Sequence, residues 1–221
     1  YFINHFLRLY DFLAAQRVDL FIANSQNVAA RISKFYRKDS IVVYPPVDTK
    51  SVEQKRSDFY LVATRISSEK GVPMVMVAAN RMGIKLKVVG EFAGLRWEEG
   101  KIKKQESKNI EFLGRVADDE LKKLYAQCKA FIVVEQDVDF GMTPVEAMAA
   151  GTPVIAYKSG GYLETVVEGK TGVFFEEYTV KSLIEAIKRL DKLKIKKEDC
   201  QKQAQKFSKE RFVKEIYARV T

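Results

Sequence analysis

Short apolar runs alternate with helix-forming stretches along most of this chain, and that alternation limits it to few architectures. The runs are Leu20 to Ala23, Ile41 to Tyr44, Tyr60 to Ala63, Leu86 to Val89, Ile110 to Leu113, Phe131 to Val134, Val154 to Ala156 and Val173 to Phe175. Between them, Pro73 to Met82, Asp118 to Cys128, Glu146 to Ala150 and Val180 to Leu190 carry helical spacing. The pattern predicts an α/β fold, a doubly wound parallel sheet with helices on its faces. At 221 residues the chain can bury one substantial core. It contains no internal repeat or low-complexity segment.

Ligands of open α/β sheets bind outside the carboxyl ends of the strands, so the loops after the predicted strands carry the functional expectation. The stretch from Asp139 to Ala156 reads as a loop, a helix opening at Thr143, small residues through Ala150, a stop at Gly151 and Pro153, and a buried strand. A helix entered through a loop containing Gly141 presents unpaired N–H groups and its positive dipole end to an anion. Pro144 suits a first helical position, and Glu146 falls three residues after Thr143. That spacing leaves Glu146 either as the second half of a capping box or as a ligand-binding carboxylate. The run Ala147, Met148, Ala149, Ala150 fits close packing on the sheet in either case. After Tyr60 to Ala63, Arg65 and Lys70 lead into the next helix through Gly71. They are either solvated surface charges or a diphosphate grip, in which a guanidinium fork takes two oxygens and an ammonium adds a compact charge.

The ordered run Phe140-Gly141-Met142-Thr143-Pro144-Val145-Glu146-Ala147-Met148-Ala149-Ala150-Gly151-Thr152-Pro153-Val154-Ile155-Ala156 resembles the donor-site signature of the family-four retaining glycosyltransferases, the glycosyl transferases group 1. Flanking pieces come in the same order: Tyr44-Pro45-Pro46-Val47-Asp48, Arg65 to Gly71, Phe112-Leu113-Gly114-Arg115-Val116, and Gly160-Gly161 followed by Glu164. Together they span most of the chain after about Ile41. Within the family the similarity is greatest to bacterial and archaeal mannosyltransferases of polysaccharide and glycolipid assembly.

The resemblance implies a GT-B enzyme, of which this chain is the C-terminal, Rossmann-like, donor-binding half. Residues 1–40 would be the remnant of an N-terminal acceptor domain with its linker, 41–193 the nucleotide-sugar domain, and 194–221 basic helices packing back toward the first domain. The short length and the opening at Tyr1 without Met lead to the expectation of an excised fragment, inactive in transfer when alone. Arg65 and Lys70 would bind the donor diphosphate. Gly114, Arg115 and Val116 would lie near the base, Glu146 would accept from the ribose hydroxyls, and the N–H groups of Phe140, Gly141 and Met142, with Thr143, would face sugar and phosphate. The family's usual second glutamate, eight positions before Glu146, is replaced here by Val138. Asp137, Asp139 and Glu135 stand near that gap, and Asp139 is the favoured substitute at the sugar end. In this family the donor's own leaving phosphate serves as the base. The expected donor is GDP-mannose, with a UDP-sugar as the second choice, and the acceptor a glycan or lipid-linked glycan. A missing N-terminal domain or a partner chain would complete the cleft; the alternative is a non-catalytic sugar-nucleotide-binding module or one subunit of a two-chain transferase.

Several other classes are disfavoured. Two distant cysteines, Cys128 and Cys200, and a single histidine, His5, cannot assemble a metal cage or a disulfide framework, so no metal or organic cofactor is expected. Cys128 reads as a packed core thiol. Glu168-Gly169-Lys170-Thr171 ends like a phosphate loop, yet the required first glycine would fall at Glu164. No Gly-x-Gly-x-x-Gly occurs to support a nicotinamide enzyme. The net charge of +9 suits an anionic ligand better than nucleic acid, because the aromatics lie in apolar strands or at helical spacing. Lys188, Arg189, Lys192, Lys194, Lys196 and Lys197 form either a solvated face or a contact with anionic lipid. No apolar run approaches the roughly eighteen residues of a membrane span. The chain is expected in the cytoplasm, at most peripheral at the inner face of the membrane.

Overall fold

In the computed structural model, which describes residues 2–93, 96–104 and 107–220, the chain opens with α1 (Phe2–Ala15), β1 (Phe21–Ala23), α2 (Gln26–Tyr36) and β2 (Ser40–Val42). There follow β3 (Tyr60–Ala63), α3 (Val72–Met82), β4 (Leu86–Val89), α4 (Arg96–Lys103), β5 (Ile110–Gly114), α5 (Asp118–Gln127) and β6 (Ala130–Val133). The remainder is α6 (Met142–Ala149), β7 (Val154–Tyr157), α7 (Tyr162–Thr165), β8 (Gly172–Phe175), α8 (Val180–Lys192), α9 (Lys197–Gln205) and α10 (Lys209–Val220).

Six strands form one parallel sheet in the order β5-β4-β3-β6-β7-β8. Counted from β3, this is the doubly wound order, in which the chain leaves the centre in one direction through β4 and β5 and in the other through β7 and β8. Alternate residues enter different cores, as the two-residue strand period requires. Leu61, Phe131, Val133, Val154 and Ala156 face α5, α6 and α9. Tyr60, Val62, Ile132, Ile155 and Val173 face α3 and α8. Each such side chain contributes about 1.5–3 kcal/mol on burial, and with both faces covered the sheet needs no polar side.

β1 and β2 pair only with each other, in parallel, as a second sheet. The apolar run Ile41 to Tyr44, read from sequence as opening the donor half, therefore belongs by its pairing to the N-terminal segment. Little apolar burial surrounds this pair: Ile22 is 39% exposed, and Phe2, Ile3, Phe6, Leu7 and Tyr10 of α1 lie open.

The C-terminal segment ties back across the fold. α9 packs on α6, burying Cys200 and Ala204. The Val47 N–H donates to the Phe207 carbonyl at 2.9 Å, and the Arg211 guanidinium donates to the Tyr44 carbonyl at 2.7 Å. The rings of Tyr44, Phe140 and Phe207 meet with centroids 5.2–5.5 Å apart. This aromatic cluster joins the connector after β2, the loop before α6 and the tail.

Candidate functional site

β3 and β6 are neighbours, yet the connections that follow them diverge, which opens a crevice at their carboxyl ends. A cavity of about 600 Å³ occupies it. The loop after β3 contributes Thr64, Arg65 and Lys70; the loop after β6 contributes Glu135 through Thr143, and Tyr162 of α7 closes one wall.

Lys70 is fixed rather than free. Its Nζ lies 2.7 Å from Glu135 Oε2, while Thr64 Oγ1 donates to Glu135 Oε1 at 2.8 Å. Both charged side chains keep a fifth to a third of their surface open, so water screens the pair and an anion can compete with Glu135 for the ammonium. Gly71 makes the close fit here: a Cβ would lie 2.5 Å from both Val134 Cγ2 and the Tyr178 hydroxyl. Arg65 is exposed at the cavity wall.

The predicted helix start is corrected by one residue. α6 begins at Met142 with Gly141 as its N-cap at φ 84, and no side chain caps it. Thr143 and Glu146 thus form no capping box. Glu146 instead accepts from the buried Tyr125 hydroxyl at 3.1 Å, across the seam between α5 and α6. Burial holds the Glu146 carboxyl above its ordinary range, partly offset by the Tyr125 hydrogen bond. It lines a second cavity of about 330 Å³ with Asp48, Asp118, Lys122 and Lys209. Phe140, Gly141, Met142 and Thr143 line the larger cavity, so α6 shows its first turn to one space and Glu146 to the other. Gly141 also leaves room for the Tyr162 ring, which a Cβ would approach to 2.7 Å.

At the far end of the loop, Asp139 lines the cavity and is gripped by Arg31 of α2, Nη1 to Oδ1 at 2.6 Å. Arg31 also donates to the Asp137 carbonyl at 2.9 Å and meets its carboxylate at 2.8 Å, holding that carboxyl below the usual range. Val138 packs its side chain against the core on the α6 side of the sheet. Its carbonyl accepts from the Gly161 N–H at 2.8 Å and from Asn27 Nδ2 at 3.1 Å. Gly160-Gly161 makes a close-approach turn: a Cβ on Gly161 would stand 2.3 Å from Phe140 Cα. Glu164 accepts from the N–H groups of Gln26 and Asn27 at the start of α2.

Gly114, Arg115 and Val116 stand apart from both cavities. The Gly114 carbonyl accepts from the Gly90 N–H, Val116 packs on the core, and Arg115 is exposed. The Glu168-Gly169-Lys170-Thr171 turn is structural, with Val167 N–H donating to Thr171 Oγ1 at 2.9 Å. Cys128 and Cys200 are buried, and burial pushes each thiol up to about 12. Thr64, Glu135, Tyr125 and Arg31 are the site contacts that sequence spacing does not mark as such. Glu135 alone had a local signal, its closeness to the gap at Val138.

The glycosyl transferases group 1 family model matches residues 45–207. The chain belongs to that family. A glycosyltransferase of Methanocaldococcus jannaschii, uncharacterized in function, is 28% identical over 179 residues, covering 80% of this chain and 51% of that protein. The chain thus spans about half the length of that relative. The alpha-1,3/1,6-mannosyltransferase of Dictyostelium discoideum is 40% identical over 79 residues, 36% of this chain and 19% of that protein. Among solved structures, Anabaena HepE in complex with UDP and glucose superposes with a TM-score of 0.80 at 23% identity, covering 96% of this chain and 65% of that one. At that identity the likeness establishes the GT-B type of α/β fold. Among the described residues no helix is long and apolar enough to cross a membrane.

Proposed function

We propose that this chain is the donor-binding part of a retaining GT-B glycosyltransferase and holds a nucleotide-diphosphate sugar across its two cavities. The observation that carries it is the convergence of Arg65, Lys70 and the first turn of α6 on one cavity at the topological switch point. Two cations and a helix N-terminus directed into one crevice form a receptor for a diphosphate. The same groups stabilise the charge that builds on that diphosphate as the glycosidic bond to it breaks. Glu146, in the second cavity, is suited to accept from ribose hydroxyls. The sugar end falls to the loop of Asp137 to Asp139.

The transferred group is a hexose, with mannose from GDP-mannose as the first choice. The mannosyltransferase likeness supports mannose, while a neighbour that holds UDP and glucose keeps a UDP-sugar as the second. The acceptor would be a glycan or a lipid-linked glycan, bound by a domain or partner chain outside these residues. The basic tail would be available for anionic lipid.

Calorimetric titration of the chain with GDP, GDP-mannose, UDP and UDP-glucose tests the proposal. Binding within one nucleotide family, weakened by both Lys70→Ala and Glu146→Gln, is the expected result. Heat changes indistinguishable from dilution for all four ligands would reject the donor site.

A further inference from the structure

We infer that Arg31 is a positioning residue for the sugar end of the cavity, so that α2 of the smaller sheet sets the shape of a site built on the larger one. The loop from Glu135 to Gly141 is held at three places. Glu135 is tied to Thr64 and Lys70 on the β3 side. Gly160 and Gly161 press against the backbone of Val138 and Phe140 from below. The outer side belongs to α2, where Asn27 takes the Val138 carbonyl and Arg31 makes three contacts with Asp137 and Asp139.

Three features make this more than a surface ion pair. The guanidinium binds a backbone carbonyl and two carboxylates at once, a geometry that fixes main-chain position as well as charge. Asp137 sits at φ 53, a left-handed conformation uncommon outside glycine though tolerated by Asp, and the Arg31 contact to its carbonyl and carboxylate holds it there. α2 is itself anchored to the larger unit by Glu164 at its N-terminus, so Arg31 projects from a fixed platform. Removing Arg31 would also leave the carboxylates of Asp137 and Asp139 uncompensated beside the groups proposed to take a diphosphate.

Loop positioning stands independently of the donor proposal; its effect on sugar binding rests on that proposal, and the test separates the two. Arg31→Ala removes fork and charge, while Arg31→Lys keeps the charge and loses the fork. Amide hydrogen exchange of the ligand-free chain is the first readout. Both variants are expected to speed exchange of the amides from Val138 to Met142 by about three- to tenfold, with β3 and β6 unchanged. Titration with GDP and GDP-mannose, or with UDP and UDP-glucose, is the second. Arg31→Lys is expected to keep nucleoside-diphosphate affinity within about twofold and to lose about three- to tenfold of the additional affinity for the sugar nucleotide. Loop exchange equal to the original chain in both variants would overturn the positioning role. Altered exchange with an unchanged ratio of sugar-nucleotide to nucleotide affinity would confine Arg31 to the loop and overturn its effect on the sugar. Absence of nucleotide binding by the original chain, with altered exchange in the variants, would reject the donor proposal and the sugar effect while leaving loop positioning in place.

Discussion

The two sheets of this molecule are built from similar sequence and live in different environments. β3 and β6 lie at the centre of six strands, with Leu61 and Phe131 fully buried between helix layers. β1 and β2 pair in parallel too, but alone, with Ile22 and the α1 side chains Phe2, Phe6 and Leu7 open to solvent. An apolar strand thus states a capacity for burial; the number of partners decides how much is realised. The larger sheet is held by its own core, whereas the smaller is held through α2, by Glu164 at one end and the loop from Asp137 to Asp139 at the other.

The most direct way to break this comparison is Leu61→Ala. It empties space at the centre of the larger sheet and is expected to lower unfolding free energy by about 2–5 kcal/mol, read by denaturant titration; a loss as small as that from a surface change would refute a core centred there. Lys70→Ala is expected next, at about 1.5–3 kcal/mol of nucleotide affinity, or roughly ten- to a hundredfold by calorimetry. It tests whether the larger sheet carries the phosphate end.

Glu146→Gln should act in two directions. The raised carboxyl pKa means that the folded chain holds this proton more tightly than the unfolded chain does. The stability this gives is complete below the ordinary value of 4.5 and is lost as pH rises through the higher folded value. At neutral pH the substitution is therefore expected to raise stability by about 1 kcal/mol or less, a gain that shrinks toward pH 4 in thermal melts. Nucleotide affinity should fall roughly tenfold over the same comparison. The smallest effect belongs to the other sheet: Phe6→Ser on exposed α1 should change stability by less than about 0.5 kcal/mol. A loss of several times that would show that α1 contributes to the fold of this chain on its own.

Much of the larger unit was legible in the residues. The apolar runs placed its strands within a residue or so, because a strand covered on both faces must be apolar along its whole length. The candidate site was legible where its features are local, in the cavity-lining positions of Arg65, Lys70 and the loop into α6. It was not legible where it depends on distant partners. Thr143 and Glu146 have capping-box spacing, but the helix opens at Met142, and Glu146 turns to Tyr125, 21 residues away. Asp139 could be named as a candidate carboxylate, yet its partner Arg31 lies 108 residues earlier.

What the sequence determined by itself is the material of the fold: parallel strands, a glycine-led helix entry, two cations in one loop, and no means of building a disulfide framework. These follow from hydrophobic periodicity and backbone conformation, which act over a few residues. The tertiary structure decided which strands share a sheet, that Lys70 meets Glu135, that Glu146 is buried against Tyr125, and that α2 grips the loop from Asp137 to Asp139. Those outcomes depend on the order in which strands assemble and on which side chains are thereby brought within hydrogen-bonding distance. No local spacing encodes that distance.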